Sequence, residues 1–380
     1  MIDVGHPIPI QNLYYLFCYA WDQFPDGKAI ETGLTESPRI VDLFAHILIR
    51  GTRRLLRRGL DQGYLEFDDD LRTVRGRIDL NGTVRRNLLI KNQINCRFDE
   101  LDKNVLHNQI LKTSIADLAN ADDIDRKLAI ELRELYDRLG NISRIRLTSQ
   151  CFHRVQVSRN RGQYGLLLKV CELLHHLRLP TESGTVSRFE NIIDNEVRMS
   201  KVFQSFVRNF YRHEQNAFSM VGAETIKWDL EPAEPEFQKY LPNMITDVTL
   251  RSSRKTIVLD TKYYKQTLSN YRGERVYSSH LYQLFSYLSN LECLSEVDRS
   301  AEGILLYPVV GQHLDLKFEG RGHVLRVVTV NLDQDWKEIR RELLSIIGVQ
   351  DYRSIEMASE AAVGTLTQKV SMNSGTTSAS

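Results

Sequence analysis

The chain has 380 residues, more than one domain ordinarily holds, so two or three units with separate cores are expected. Its 50 basic residues are nearly cancelled by 49 acidic ones, and a formal charge of +1 excludes a protein that coats nucleic acid by bulk charge. Composition is that of a soluble globular protein, and no apolar run approaches the about 20 residues of a membrane span. The start, with Asp3 and His6 before Pro7 and Pro9, lacks the basic-then-apolar order of a signal peptide, so the chain reads as cytoplasmic with no membrane partner. Five cysteines stand singly, without a C-x-x-C pair, and read as packed thiols.

In chain order, residues 9–24 form an aromatic-rich helix with Asn12 as its cap, and 41–60 form a second, with arginines near the end favoured by the dipole. Between 64 and 93 the helical period gives way to strands at 64–67 and 72–82, punctuated by Gly76 and Gly82. From Arg50 to Lys91 eleven basic residues face six acidic ones, a cluster that fits phosphate, a protein partner or a solvated face. Helices follow at 101–119, 122–139 and 163–178. His175-His176, lacking any ligand spacing, reads as surface or core imidazole. Leu179-Pro180 and the polar run to Thr185 read as a linker, separating 1–180 from 186–350. Beyond it come a helix (191–213), a proline-marked loop, a hairpin, a helix (277–291), strands at 303–308 and 323–330, and a helix (334–347). The fold class is α+β or α/β: a mainly helical N-terminal part with a small β-rich segment, then a mixed sheet flanked by helices. Residues 353–380, poor in large apolar groups, read as a disordered tail.

The hairpin carries the chemistry. Thr246-Asp247-Val248-Thr249-Leu250 and Thr256-Ile257-Val258-Leu259-Asp260-Thr261-Lys262 flank an exposed turn. Strand periodicity puts Asp260 and Lys262 on one face, beside Asp247 of the neighbouring strand. Two carboxylates suit Mg²⁺, which takes few protein ligands and completes its shell with water and phosphate oxygens, while the lysine orients the attacking water. As a bare spacing, D-x(12)-D-x-K fits a solvated hairpin end with a surface ion pair equally well. Arg251, Arg254, Lys255, Lys265, Arg272 and Arg275, interleaved with Tyr263, Tyr264 and Tyr271, add a local basic excess suited to nucleic acid or to a solvated face. No G-x(4)-G-K-[ST] is present, so a nucleoside triphosphate would be bound by another chain.

Five blocks resemble the McrC nuclease subunits of McrBC-type, modification-dependent restriction systems. These are Ile10-Gln11-Asn12-Leu13-Tyr14-Tyr15 with Tyr19-Ala20-Trp21; Gly76-Arg77-Ile78; Phe98-Asp99-Glu100-Leu101 with Asn108; Thr246 to Leu250; and Asp260 to Tyr264 followed by Leu281-Tyr282-Gln283-Leu284. The resemblance runs from about Pro9 to Ile347. It implies a PD-(D/E)xK nuclease domain that cuts double-stranded DNA, joined to an N-terminal part docking on a hexameric ring of AAA+ GTPase subunits of McrB type. The partner would read the modified cytosine and hydrolyse GTP, and this chain would cut with Mg²⁺, or Mn²⁺, and stimulate the GTPase.

By resemblance Asp247 and Asp260 are metal ligands and Lys262 is the lysine, with Gln283 and Tyr287 matching a Q-x(3)-Y helix motif that also fits an ordinary half-buried helix. Glu196 is the candidate third metal ligand, and Gln204 stands where another acid could have served. Thr246 replaces the superfamily's usual proline, which is expected to loosen the turn. The basic segment 72–86 fits a finger entering the partner's ring or a DNA track. Two other readings remain: a regulatory subunit with a silent nuclease site, and a repair nuclease with a different motor.

Overall fold

The first helix, Ile10–Ala20 (α1), begins after Pro9, whose extended backbone forms the N-cap. Asn12 lies inside this helix and does not cap it; its amide donates instead to the carbonyls of Leu332 and Gln334, both at 2.8 Å. The structure, a computed structural model, describes residues 8–23, 39–155, 162–179, 188–263, 276–292, 295–309 and 313–350. The expected linker at 180–185, the tail at 353–380, and Tyr264, Lys265, Tyr271, Arg272 and Arg275 lie outside the described residues.

The chain divides into two units, Gln23–Asp194 and Pro7–Asp22 with everything from Asn195 on. The expected division at 180–186 differs in two respects: the units part between Asp194 and Asn195, and α1 belongs to the second unit, not to the N-terminal part. Its partners, Leu332 and Gln334, lie more than 300 residues away in sequence, a distance no local pattern reveals.

In the first unit, helices Ile40–Arg58 (α2), Leu106–Ala119 (α4), Arg126–Arg138 (α5) and Gly162–Leu177 (α7) bury Leu43, Phe44, Leu48, Ile110, Ile115, Leu132 and Val170. The β-rich segment is an antiparallel pair, Gly63–Leu71 (β1) with Ile94–Asp102 (β3), edged by Arg77–Ile78 (β2). Between β2 and β3, Leu80–Arg85 (α3) is a helix capped by Asp79, whose carboxylate accepts from the Gly82 amide at 3.0 Å, where a strand was expected. The helix expected from residue 101 starts only at Leu106, because β3 pairs with β1 as far as Asp102. Ser149–Arg154 (α6) precedes α7, and Arg178–Leu179 (β4) pairs with Arg188–Phe189 (β5).

Three arginines of this segment are met from within: Arg75 by Glu100 at 3.1 Å, Arg86 by Asp70 at 3.1 Å, and Arg97 by Asp68 and Asp79. The segment also leaves apolar side chains exposed, among them Val74, Leu80, Val84, Leu89 and Ile90.

Gly76 explains one of the resembling blocks. Its φ is +63°, and a Cβ there would stand 2.4 Å from the Arg97 carbonyl and 2.7 Å from the Phe98 Cβ. Both obstacles are fixed by the β1–β3 ladder, so Gly76→Ala should lower the stability of the first unit by about 1–3 kcal/mol, read as earlier amide exchange of β3.

The second unit is built on a six-stranded mixed sheet in the order β12-β13-β11-β10-β9-β6. After Glu196–Glu214 (α8) the chain forms Met220–Gly222 (β6), a two-strand pair of Thr225–Ile226 (β7) and Met244–Ile245 (β8), then the hairpin Val248–Arg251 (β9) and Thr256–Thr261 (β10). Ser278–Leu291 (α9) and the short Glu296–Arg299 (α10) lead into Glu302–Val309 (β11), which runs parallel to β10. Asp315–Gly320 (β12) forms an exposed edge against His323–Asn331 (β13), and Trp336–Ile346 (α11) follows. The edge strand β12 was not expected, since its alternating charges carry no buried pattern. β10 is buried at every residue, as its β-branched apolar run requires of a central strand. Val258 packs with Leu284, Tyr287 and Leu288 of α9, so Asp260, two residues on, points to the α9 side at the end of the strand.

Candidate active site

The hairpin brings Asp247, Asp260 and Lys262 together. Asp247 stands just before β9, and its Oδ2 accepts from the backbone amide of Thr261 at 2.8 Å and the Thr261 hydroxyl at 2.7 Å. The strand residue beside Asp260 thus fixes the first carboxylate. Asp260 is 1% exposed, with Lys262 Nζ 2.8 Å from its Oδ2. Beyond this ion-pair contact neither oxygen of Asp260 accepts a hydrogen bond of good geometry. Burial pushes its carboxyl up to about 6, against the pull of Lys262 and helped by the charge of Asp247.

Lys262 in turn donates to Gln283 Oε1 at 3.0 Å, the Gln283 amide donates to the Tyr287 hydroxyl at 2.7 Å, and that hydroxyl donates to the Ile245 carbonyl at 3.1 Å. The chain of bonds runs from the lysine across one turn of α9 back to the residue before Thr246. Burial raises the Tyr287 phenol, keeping it a neutral donor.

Thr246 does not loosen the turn. It is fully buried, its hydroxyl lies 2.8 Å from that of Thr249, and it accepts from the Glu224 amide at 2.9 Å, so side-chain bonds hold what a proline ring would hold. The basic excess is smaller than the sequence suggests: Arg251 pairs with Glu224 and Asp298, and Lys255 with Glu302.

Glu196 sits in the first turn of α8, eight residues before Gln204, about 12 Å of helix. The structure does not bring it beside Asp247, and among the described residues no three His, Cys, Asp or Glu gather as a metal cluster. Gln204 arrives instead, donating from Nε2 to Asp247 Oδ1 at 2.6 Å. One turn later Arg208 donates from Nε to the Asp247 carbonyl at 2.9 Å. Spacing along α8 could have linked Gln204 to Arg208, but nothing in the sequence linked either to Asp247. His280 was also missed: it is buried, its Nδ1 lies 2.8 Å from the Tyr307 hydroxyl, and burial followed by the charge of Lys262 lowers it to about 4, a neutral imidazole.

An all-oxygen pair, one member buried without a well-directed donor, fits a hard divalent cation of the Mg²⁺ or Mn²⁺ kind.

Residues 11–308 match the family described as McrBC 5-methylcytosine restriction system component. The chain belongs to this McrBC family. A relative from Escherichia coli (strain K12), the "Type IV methyl-directed restriction enzyme EcoKMcrBC", is 32% identical over 340 residues, covering 89% of this chain and 97% of the relative. In fold, this McrC-type chain is similar to a chain in the assembly of Thermococcus gammatolerans McrB AAA+ hexamers with bound McrC. There the TM-score is 0.55 over 89% of this chain and 76% of that one, at 18% identity, a likeness of fold. Family membership sets the hairpin with Asp247, Asp260 and Lys262 within a component of a restriction system. Among the described residues no helix is long and apolar enough to cross a membrane.

Proposed function

We propose that this chain is the cutting subunit of a methylcytosine-dependent restriction complex, hydrolysing phosphodiester bonds of double-stranded DNA at a PD-(D/E)xK site. The observation that carries this reading is Asp260, a buried carboxylate with no well-directed donor, facing Asp247 and Lys262 at a strand end. A charged group is costly to bury unless it serves a ligand. Asp247 and Asp260 hold the ion; when bound, Mg²⁺ supplies a Lewis acid for the charge that develops on the phosphate. Lys262, steadied by Gln283 and so by Tyr287, orients the attacking water and donates to a phosphate oxygen. Thr261 keeps Asp247 in its rotamer through two hydrogen bonds.

The sequence has no G-x(4)-G-K-[ST] motif, so the triphosphate enters through a partner, a GTPase ring of McrB type; the similar assembly holds McrB AAA+ hexamers. The first unit docks on that ring and stimulates it. Its exposed Val84, Leu89 and Ile90 suit a protein partner, and two arginines of the same segment, Arg75 and Arg86, are already paired with carboxylates. The test combines purified chain, with and without the GTPase, with methylated and unmethylated plasmid, GTP and Mg²⁺. Cutting confined to methylated DNA with both chains present is expected; unconditional cutting by this chain alone overturns partner control. Lys262→Ala should lower the cleavage rate about 100-fold or more while leaving GTPase stimulation intact.

A further inference from the structure

Asp247 is engaged on both oxygens. Its Oδ2 already accepts two hydrogen bonds, from the amide and the hydroxyl of Thr261, and its Oδ1 accepts the Gln204 amide at 2.6 Å. A carboxylate oxygen has about two lone-pair sites, so one acceptor position remains on Oδ1 and none on Oδ2. On Asp260, Oδ2 faces the ammonium of Lys262 at 2.8 Å, and Oδ1 is the oxygen without a cationic neighbour. Each aspartate therefore has one oxygen to give, enough for a single cation whose shell is completed by water and phosphate oxygens.

Charge gives the same count. The carboxylates of Asp247 and Asp260 are already balanced by the ammonium of Lys262 and the guanidinium of Arg208, so one divalent ion leaves the site positive. A second ion would need another anionic ligand, and the side chain at the right place to supply it, against Asp247 Oδ1, is the neutral amide of Gln204. Glu196, the nearest acid on the same helix toward its start, is about 12 Å away along it.

We infer that Gln204 limits this site to one divalent cation: its amide both fixes the Asp247 carboxylate and withholds the charge that a second ion would require. This rests on the assignment of Asp247 and Asp260 as ion ligands. Gln204 is a positioning residue, since it acts through Asp247.

The experiment counts bound ions on the full-length chain, using Mn²⁺ titrated by calorimetry and followed by electron paramagnetic resonance of the free ion. The wild type should bind one Mn²⁺ per chain, and Asp260→Asn should lose it. Gln204→Glu, nearly isosteric with the native residue, should bind a second Mn²⁺, with spin coupling between the two ions. Gln204→Ala should keep one ion but weaken it about tenfold, because Asp247 loses its anchor; thermal melts of each variant check folding. Two ions in the wild type, both lost in Asp260→Asn, overturn the inference, as does Gln204→Glu that still binds one. If Asp260→Asn binds Mn²⁺ like the wild type, the ligand assignment itself fails, an outcome distinct from the failure of Gln204 alone.

Discussion

Asp260→Asn is expected to abolish DNA cleavage, by a factor on the order of 10³ or more, while making the second unit more stable at neutral pH. The two effects share one cause. Asp titrates at 3.8 when unperturbed and at about 6 in this fold, because burial disfavours the charged form more than Lys262 favours it. Between these values the folded chain binds more protons than the unfolded one, so the contribution of this group falls as pH rises through about 6. Below about pH 4 the carboxyl is protonated in both states and there is no penalty. Above pH 6 it is ionised in both, and the fold carries a buried charge at a cost of about 3 kcal/mol, given 1.36 kcal/mol per pH unit.

Asparagine keeps the shape and removes the charge. In metal-free buffer at pH 8 the variant should unfold at higher denaturant, by up to about 3 kcal/mol, and should lose the wild type's decline in stability between pH 4 and 6. Added Mg²⁺ should stabilise the wild type and not the variant. The affinity of the wild type for Mg²⁺ should rise with pH through about 6, as the metal-free carboxyl ionises, and the variant's should not. A variant that is both more stable and inactive is the signature of a residue kept for chemistry at the expense of the fold. If Asp260→Asn still cuts methylated DNA with partner, GTP and Mg²⁺, the site is elsewhere.

Why the sequence disclosed Asp247, Asp260 and Lys262 but not their supports follows from the range of the interactions. Asp260 and Lys262 share a face by strand period alone, and β9 is joined to β10 by a short turn, so the three residues are locally specified. Gln283 and Tyr287 are one helical turn apart, which made their pairing legible; that the pair would hold Lys262 depended on α9 lying along β10. On α8 the sequence favoured Glu196 because it carries charge, whereas the helix presents Gln204 and Arg208 to Asp247, a matter of rise and rotation relative to a strand some 40 residues on.

Charge misled in the same way elsewhere. Arg251 reads as a phosphate contact beside Ser252 and Ser253, yet it is bound to Glu224 and Asp298, each more than 25 residues away. Arg75 and Arg86 likewise find Glu100 and Asp70 across a ladder between β1 and β3, and the last two residues of β3 overlap the helix expected from residue 101. Short-range patterns carry the hairpin of Asp247, Asp260 and Lys262; the neutralisation of its surroundings is long-range.

Removing residues 1–22 is expected to unfold the second unit, although most of the chain of that unit lies beyond residue 195. α1 buries Leu13, Tyr14, Leu16, Phe17, Cys18 and Tyr19. At about 1.5–3 kcal/mol for each large apolar side chain, the helix contributes gross stabilisation of about 10 kcal/mol, comparable with the whole net stability of a domain. Its polar groups are also committed. Asn12 closes two carbonyls at the end of β13 and the start of α11, and the Asn209 amide of α8 donates to the Tyr19 carbonyl at 2.9 Å. Tyr15 stacks on Trp336 at 4.5 Å with the rings 13° apart, and Tyr19 packs against Phe206, Phe210 and Trp336 while its hydroxyl donates to Glu214, which Arg340 also binds. Without α1, the aromatic face of α8 and two backbone carbonyls meet water or remain unsatisfied. A fragment beginning at 195 should therefore show the exposed hydrophobic surface and lost near-ultraviolet dichroism of a loosened core, and mixing it with a peptide of residues 7–22 should restore both. Phe17→Ala in the full chain should cost about 3–5 kcal/mol in the same transition. A 195–350 fragment that melts cooperatively, at the temperature of the intact second unit, would show that α1 merely rests on a unit already complete. The second unit is closed by the chain's first helix, so it cannot finish folding until the chain has passed through the whole first unit and returned, with α1 waiting for partners more than 300 residues downstream.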